Sequence, residues 1–364
     1  MDSMKIGILG FGAMGYYHAT TVKVPGVTFV SACDIEAVQL EDAVPLGLKT
    51  FLNDEDAFFS DTEINTVLLT VPNHLHHKYA LKAAQYKKHI ICEKPATLNV
   101  AEFDDMVNAA KAAGVLLEVH QNRRWDKDYL IAKKIFDEKL IGDIYSIEST
   151  LHMVAGNTHG WHAFKKYGGG MIYDWSVHLI DQILQMCPGK VETVFADLKS
   201  VFTEEVDDYF KIIIRMESGI SVTLSLCMHC LKAGPRWLLL GKEGTGFIQN
   251  FAGEGNYYKT TKKLKKLPPR ITPSPSGPTR SFEDLLPGEL IVEPLPEVNE
   301  DWSEFYHNYL FAINGIGEIH VKNSEVRRCL AMMEAIQLSN ETKKAVPFDY
   351  DNSIECGVNH MGYR

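Results

Sequence analysis

The segment GILGFGAMG, residues 7–15, places three glycines in a G-x-G-x-x-G order between a predicted strand and a predicted helix. In this context Gly10, Gly12 and Gly15 predict a tight turn whose backbone can approach a pyrophosphate, with the helix N-terminus favouring negative charge. Asp34 stands at the end of the next predicted strand, 19 residues after Gly15. Its carboxylate suits ribose hydroxyls and would repel a 2′-phosphate, and no Arg or Lys follows in DIEAVQLED. The pattern therefore predicts a dinucleotide site for NAD rather than NADP.

The order of predicted elements divides the chain into two parts. Strands and helices alternate over residues 1–123, which predicts an α/β Rossmann domain with a doubly wound parallel sheet. Residues 124–364 carry several strands without intervening helices, which predicts an α+β domain with a large open, mainly antiparallel sheet. Within it, residues 258–300 hold eight of the fifteen prolines, so this segment is predicted to be an irregular excursion rather than a strand pair.

Composition excludes several classes of function. The net charge of −10 gives no support for binding nucleic acid or an anionic membrane, and the basic run KTTKKLKKLPPR is interpreted as a solvated loop. No apolar run reaches the length of a membrane span and no signal peptide is evident, so a cytoplasmic protein is expected. Seven scattered cysteines do not suggest a disulfide framework. Cys227 and Cys230 would face opposite sides of a strand, so buried structural cysteines are expected there instead of a metal site.

The stretch YDWSVHLID, residues 173–181, follows a run of three glycines and contains the most suggestive polar side chains. Asp174, His178 and Asp181 are spaced by four and three residues, which places them on one face of a regular helix. That face could bind a substrate hydroxyl, a divalent metal or only solvent. The histidines of HLHH, residues 74–77, offer a second possible metal site, although their place before a helix favours the cofactor rim. We predict no metal at either position.

A further motif, CEKPATL at residues 92–98, ends a predicted strand where doubly wound sheets bind ligands. Together with the glycine turn, VPNHLHHKYA, HQNRRWD and GGGMIYDWSVHLID, it makes the chain resemble the glucose–fructose oxidoreductase / inositol dehydrogenase / MocA family over nearly its whole length. The resemblance implies NAD-dependent oxidation of a sugar or cyclitol. It implies that Lys94 contacts the reacting hydroxyl and the nicotinamide ribose, that His178 takes the hydroxyl proton, and that Asp174 binds a hydroxyl and orients the group.

The resemblance also implies contacts to the cofactor and to the substrate. Many family members have Arg after the tryptophan that matches Trp161, whereas this chain has His162. Asp181 is predicted either to hydrogen-bond the substrate or to support the helix, and Trp175 either to stack on a sugar or to line the core. The cofactor positions implied, besides the three glycines and Asp34, are Phe11, Ala13, Met14, Thr70, Pro72, Asn73, His76, Glu93, Lys94, Asn122 and Trp161.

The chemistry of the candidate residues is consistent with this function. Oxidation of an alcohol needs a proton acceptor near the oxygen, which histidine provides, and a neighbouring lysine can polarise that oxygen. Within the class, GGGMIYDWSVHLIDQ most resembles enzymes that oxidise glycosides, with C3 as the candidate carbon. The alternatives are a glycosidase or lyase that retains NAD and oxidises transiently, and a non-enzymatic NAD-binding sugar sensor. An exposed sheet face in the second domain predicts a homodimer or homotetramer.

Overall fold

The computed structural model describes residues 3–154, 158–260, 271–277, 279–280 and 288–349. Its first sheet has six parallel strands in the order β3-β2-β1-β4-β5-β6. The strand order reverses between β1 and β4, which is the position where doubly wound sheets bind ligands. The prediction of a Rossmann-type parallel sheet is confirmed. The strands are β1 Met4–Leu9, β2 Val27–Asp34, β3 Lys49–Leu52, β4 Thr66–Leu69, β5 His89–Cys92 and β6 Leu117–Val119.

Helices connect these strands. Asn99 caps α5 by accepting a hydrogen bond from Glu102 N at 2.9 Å, and Gly114 ends the helix with a φ of +71°, as the sequence predicts. The elements α2, β3 and α3 lie in a region where the sequence patterns predicted none, because each is only four to six residues long. The helices are α1 Ala13–Thr21, α2 Ala37–Glu41, α3 Glu55–Ser60, α4 His76–Gln85 and α5 Val100–Ala113.

The second sheet has nine strands in the order β16-β13-β12-β11-β7-β10-β9-β8-β17. Its pairs are antiparallel except for β7 and β10, which are parallel, so the predicted mainly antiparallel sheet is confirmed. Alternation in β9 buries Phe210, Ile212 and Ile214 on one face of the sheet. The strands are β7 Ile144–His152, β8 Val191–Lys199, β9 Tyr209–Met216, β10 Ser221–Cys227, β11 Trp237–Gly241, β12 Gly244–Ile248, β13 Gly255–Thr260, β16 Leu290–Pro294 and β17 Val346–Pro347.

The second half of the described chain adds four helices, of which α9, the longest, packs against β8 and α7, while α8 packs on the first sheet through Tyr309 Oη, which donates to Ile90 O at 3.0 Å. A 3₁₀ turn, Asn122–Trp125, leads from β6 into α6, and a π-helical turn, Ile172–Ser176, precedes α7. The core is one continuous apolar cluster that joins side chains of both sheets and of α7 and α9. The helices are α6 Lys127–Asp137, α7 Val177–Met186, α8 Glu304–Ile313 and α9 Asn323–Thr342.

Two predictions for the second half need correction. Residues 258–300 are not wholly irregular, because β13 and β16 pair at the sheet edge and β14 Ile271–Thr272 pairs with β15 Thr279–Arg280. Pro294 is tolerated at the end of an edge strand, where no neighbour needs its missing N–H. Residues 261–270 and 281–287 of that segment lie outside the described residues. The thiols of Cys227 and Cys230 are half-buried rather than fully buried.

In the described ranges, no helix combines the length and the apolar character that crossing a lipid bilayer requires.

Candidate active site

The carboxyl ends of the parallel strands bring most of the predicted cofactor residues to one edge of the first sheet. Gly10 follows β1, Asp34 ends β2, Thr70 follows β4 and Glu93 follows β5. Backbone hydrogen bonds continue across these ends, from Gly10 N to Cys33 O at 2.8 Å and from Glu93 N to Leu69 O at 3.0 Å. The carboxyl ends of these strands therefore lie side by side along one edge of the sheet. The order of the motifs along the sequence does not by itself show that they are neighbours.

The glycine turn fits a dinucleotide. Gly10 has a φ of +90° and accepts a hydrogen bond from Thr70 Oγ1 at 2.6 Å. A Cβ on Gly15 would lie 2.6 Å from Gly10 O, so the close approach of α1 to the strand requires glycine. A Cβ on Gly12 would meet no atom within 4 Å, and no side chain caps α1 there. The turn thus leaves open space at an uncapped helix N-terminus, which suits a pyrophosphate.

Asp34 connects the turn to the second strand. Its Oδ2 accepts a hydrogen bond from Phe11 N at 2.7 Å, and its Oδ1 accepts one from Glu36 N at 2.9 Å. The Phe11 side chain is buried, so only its backbone can face a ligand at the turn. Ala13 and Met14 are exposed on the first turn of α1. A negative carboxylate consequently stands at the end of β2, where a ribose would lie in a dinucleotide of this fold.

Other predicted cofactor residues connect loops to one another. Pro72 precedes the 3₁₀ turn 73–75, and Asn73 Nδ2 donates to Gly168 O at 2.9 Å, joining the first sheet to the glycine run. The buried ring of His76 places its nitrogens 2.9 Å from Pro95 O and from Val71 O. His76 therefore pins the loop after Lys94. Asn122 is buried at the start of the 3₁₀ turn that follows β6.

Lys94, just after β5 of the first sheet, contacts Asp174, in the π turn that precedes α7. Lys94 Nζ donates to Asp174 Oδ1 at 2.7 Å and to Asp174 O at 2.9 Å. Burial opposes ionisation of the Asp174 carboxyl, but the charge and hydrogen bond of Lys94 outweigh it and hold its pKa below the ordinary value. The side chains of Lys94 and Asp174 are 19% and 27% exposed, so the pair stays open to a ligand.

His178 lies on the first turn of α7 and is buried, with 4% exposure. Burial, reinforced by the positive charges of Lys94 and Arg123, holds the pKa of His178 well below its ordinary value. Its Nδ1 is buried and has no hydrogen-bond partner among the described residues. The imidazole is therefore neutral at physiological pH, and its unprotonated ring nitrogen can accept a proton.

The glycine run sets the entry into this helix. A Cβ on Gly169 would lie 2.2 Å from His162 O, so the run packs closely against the preceding loop. Asp207 then fixes the first turn, since its Oδ2 accepts from Ile172 N at 2.8 Å. Burial raises the pKa of Asp207 to about 7. The π turn 172–176 precedes α7, so the segment is not one regular helix, and Asp174 pairs with Lys94 whereas Asp181 pairs with Arg124.

The remaining predicted substrate residues have different environments. Both Asp181 oxygens accept from Arg124, at 2.6 and 2.8 Å, which gives this carboxylate a supporting position. The Trp175 ring lies 5.9 Å from the His178 ring, and the Arg123 guanidinium carbon lies 4.3 Å from its centroid. One face of Trp175 is thus covered by a cation.

The loop 158–163 borders the same region. The rings of Trp161 and His162 stack with centroids 3.6 Å apart. Burial lowers the pKa of His162. The charge of Asp174 raises this pKa and that of Lys94 lowers it. His162 therefore lies close to the Lys94–Asp174 pair.

Behind Lys94, Glu93 organises a buried polar cluster. Glu93 Oε1 lies 2.9 Å from His18 Nε2 and 2.8 Å from His120 Nδ1, and the Tyr306 hydroxyl lies 2.6 Å from His18 Nδ1. Burial would raise the pKa of Glu93, but the two imidazoles hold it well below its ordinary value. Glu93 Oε2 also accepts from Lys94 N at 3.1 Å. The cluster therefore fixes the backbone that carries Lys94.

Histidine and carboxylate ligand atoms come together in the described chain at His18, Glu93 and His120. Hydrogen bonds account for the arrangement, since each of these ring nitrogens is at hydrogen-bond distance from the shared oxygen. The HLHH histidines are divided between different contacts: His74 packs on Tyr167 at 5.1 Å, and His77 lies 3.5 Å from Asp105.

Sequence reasoning missed several residues of this site. Arg123, Arg124, His120 and Phe251 were not assigned, although HQNRRWD contains three of them. The available signal was a pair of arginines in the turn that follows a buried strand, at the edge where ligands bind. Phe251, 5.3 Å from the Arg123 guanidinium, gave no signal because it lies after β12 in a turn.

The fold and site together define an oxidoreductase with an NAD-binding domain, and comparisons with known proteins agree. The family model described as "Oxidoreductase family, NAD-binding Rossmann fold" matches residues 4–121, and that of the "GFO/IDH/MocA C-terminal domain" matches residues 129–246. The chain belongs to the GFO/IDH/MocA family of oxidoreductases.

Three relatives illustrate the range of the similarity. An NAD-binding protein from Listeria innocua is 32% identical, with a TM-score of 0.86 over 96% of this chain and 100% of that one. The scyllo-inositol 2-dehydrogenase (NADP(+)) IolW of Bacillus subtilis is 24% identical over 96% of this chain and 97% of its own. A levoglucosan dehydrogenase, solved in complex with NADH, shares the fold at 21% identity and a TM-score of 0.73, over 95% of this chain and 99% of that one.

Proposed function

We propose that the protein oxidises, reversibly, a secondary hydroxyl of a sugar, glycoside or cyclitol with NAD. The observation that carries the proposal is a neutral, buried His178 beside the Lys94–Asp174 pair, at the carboxyl end of β5. A proton acceptor and a cation next to one another are what alcohol oxidation requires. The name of the inositol dehydrogenase relative supports a polyhydroxylated substrate.

In the oxidation direction, the residues divide the handling of the hydroxyl group. Lys94 donates a hydrogen bond to the reacting oxygen and stabilises the negative charge that develops on it. His178 accepts the hydroxyl proton, because its unprotonated form prevails at physiological pH. Asp174 holds Lys94 in place through two hydrogen bonds and can accept one from a neighbouring substrate hydroxyl. In reduction, His178 returns the proton.

The dinucleotide supplies the hydride acceptor when it is bound, and the protein's part is to hold it. The turn Gly10–Gly15 would receive the pyrophosphate, and Asp34 would receive the ribose hydroxyls. Two features support NAD over NADP: the Asp34 carboxylate at the end of β2, and the absence of Arg or Lys in the residues that follow it. Asn122, in the turn after β6, and Trp161, in the loop 158–163, would border the nicotinamide.

The substrate pocket would lie between the two sheets. Trp175, with Arg123 on one face, offers a rigid apolar surface to a sugar ring through its other face. Arg123 donates to Asp126 Oδ2 at 2.7 Å.

Within the substrate class, oxidation of a glycoside at C3 is the narrower proposal, and it rests on the resemblance of residues 168–182 to enzymes of that kind.

A homodimer or homotetramer is part of the proposal. The face of β9 opposite the helices exposes Lys211, Ile213 and Arg215, with Ile213 41% exposed, and this open sheet face can pair with a second copy. Light scattering of the purified protein at several concentrations tests this, and a monomeric mass throughout would contradict it.

Mass spectrometry of reaction mixtures tests the activity. The protein is incubated with NAD, and separately NADP, and with myo-inositol, scyllo-inositol, glucose, methyl glucosides and methyl galactosides. Loss of two hydrogens from one substrate with an equal amount of NADH supports the proposal, and fragment masses then locate the oxidised carbon. A cleaved glycoside without NADH would move the protein to the class of hydrolases or lyases that retain the cofactor.

A further inference from the structure

A buried ion pair joins the turn after β6 to the catalytic helix. Arg124 Nε and NH2 donate to Asp181 Oδ2 and Oδ1 at 2.8 and 2.6 Å, a bidentate geometry that fixes direction as well as distance. The two side chains are 11% and 3% exposed. Next to this pair, Gln182 Nε2 donates to Arg123 O at 2.8 Å. Two successive residues of the 3₁₀ turn are therefore held by two successive residues of α7.

The same arginine reaches a third segment. Arg124 NH1 donates to Glu325 Oε2 at 2.7 Å and lies 3.4 Å from His320 O, on the chain that enters α9. Glu325 is in the first turn of α9, the helix that packs against α7. One guanidinium thus links the last strand of the first sheet, the candidate catalytic helix and the helix that supports it.

The position of this link in the site suggests its role. Asn122, at the predicted nicotinamide end, is two residues before Arg124, and His178 is three residues before Asp181, almost one helical turn. Hydride transfer depends steeply on alignment, and a displacement of about 1 Å can cost about 10²-fold in rate. Any relative movement of the 3₁₀ turn and α7 would move His178 relative to the bound nicotinamide.

We propose that Arg124 and Asp181 are positioning residues that set the geometry between the nicotinamide end of the cofactor site and the proton acceptor on α7. Asp181 then supports Arg124 rather than binding substrate, since both of its oxygens accept from Arg124 and its side chain is only 3% exposed. The kinetic part of this inference rests on the proposed function, whereas its structural part, the fixed register of 122–125 against α7, does not.

The kinetic test uses Arg124→Lys and Asp181→Asn, with the substrate found in the screen. Lysine keeps the charge but cannot bridge two oxygens and a second carboxylate, so both variants should lose at least tenfold in kcat. The KM for NAD should change less than threefold, and the primary deuterium isotope effect should increase because the chemical step becomes slower. A kcat within twofold of wild type in both variants overturns the proposal.

A matched control is available in α9. Arg327 Nε and NH2 donate to Asp104 Oδ1 and Oδ2 at 2.6 and 2.8 Å, joining α9 to α5 with the same geometry. Arg327→Lys should leave kcat within twofold of wild type. An equal loss of kcat in this control would mean that any weakened ion pair lowers activity, which also overturns the assignment.

A second pair of variants keeps the test valid if one charge alone cannot remain buried. Removing one partner leaves an uncompensated charge, whereas removing both is often tolerated. Arg124→Gln/Asp181→Asn should therefore regain thermal stability relative to either single change, while kcat stays low. Recovery of both stability and kcat would assign the pair a purely structural role.

Amide hydrogen exchange tests the structural part without turnover. In Arg124→Gln, peptides covering 122–125 and 177–186 should exchange faster than in wild type, while Arg327→Gln should affect α5 and α9 instead. Unchanged exchange across α7 would contradict the proposal. If the wild type oxidises none of the compounds tested, the proposed function fails, and the exchange result still decides whether Arg124 fixes the helix.

Discussion

Asp174 accepts two hydrogen bonds from Lys94 Nζ, one at Oδ1 at 2.7 Å and one at its own main-chain carbonyl at 2.9 Å. The carbonyl belongs to the π turn, so the ammonium is bound both to an acidic side chain and to the backbone of the helix entrance. This fixes Lys94 with one N–H direction left for a substrate oxygen, because an ammonium has three donors.

Replacing Lys94 by Met should therefore lower kcat by about 10²–10⁴-fold, the usual contribution of a positioned proton-handling group. Steady-state kinetics with the identified substrate would measure it. NAD affinity, followed by fluorescence titration, should fall much less. Lys5→Met, which removes a surface lysine 3.9 Å from Glu63, is the control and should keep wild-type turnover. A Lys94 variant with turnover near wild type would refute the catalytic assignment.

His178 should give the oxidation reaction an acid limb at unusually low pH. Its pKa is depressed, so the neutral form persists as the pH falls and is lost only when the pH passes well below the ordinary histidine value. The profile of log(kcat/KM) should therefore show no decline from this group between pH 7.5 and 6.5, around the unperturbed value of about 6.5. A clear titration near the ordinary value would contradict the buried environment.

Arg123→Gln tests why the pKa of His178 is depressed. After burial itself, the positive charges that lower the pKa of His178 most are those of Lys94 and then Arg123. Without this charge, the acid limb should move to higher pH, by less than the full depression because burial and Lys94 remain. A profile that does not move would mean that Arg123 is screened from His178 by solvent.

Local signals located the strand-end part of the candidate site better than the part formed by α7 and the turn before it. The glycine turn, Asp34 and Glu93–Lys94 are short-range features at strand ends, and the parallel sheet brings them together without further information. Arg124 and Asp181 are 57 residues apart, and their pairing exists only after α7 docks on the 3₁₀ turn. The four-and-three spacing in YDWSVHLID assumed a regular helix, and it gave no sign of the π turn 172–176.

The cofactor preference depends on Asp34. Asp34→Ala removes the negative charge that would oppose a 2′-phosphate and the acceptor expected for ribose hydroxyls, so the ratio of kcat/KM for NAD to that for NADP should fall by about tenfold or more, equivalent to about 1.4 kcal/mol. Because Asp34 also accepts from Phe11 N, some loss with both cofactors is expected. Glu36→Gln, two residues later, is the control. An unchanged ratio in Asp34→Ala would show that the carboxylate does not select the cofactor.

Glu118, fully buried on β6, should make stability depend on pH in a direction opposite to that of most carboxylates. Its Oε1 accepts from Val321 N at 2.8 Å, but Oε2 has no partner among the described residues, and burial raises the pKa to about 8. The folded carboxyl stays protonated while the unfolded one ionises above its ordinary pKa of about 4.5. Stability from this group is therefore complete at low pH and declines by about 1.4 kcal/mol per pH unit toward pH 8. Glu118→Gln cannot ionise, so its melting temperature relative to wild type should rise between pH 5 and pH 8.

The quantity to measure is the difference in melting temperature between Glu118→Gln and wild type, because the contributions of the other titrating groups cancel in it. Differential scanning fluorimetry at pH 5, 6, 7 and 8 provides it, with the exposed Glu63→Gln as a control for loss of a carboxyl. A Glu118→Gln difference that is constant with pH would mean that Glu118 is ionised in the folded protein. That result would place a buried negative charge within reach of Arg124, and the electrostatic balance of the Arg124–Asp181 pair would then include Glu118 as a third acidic partner.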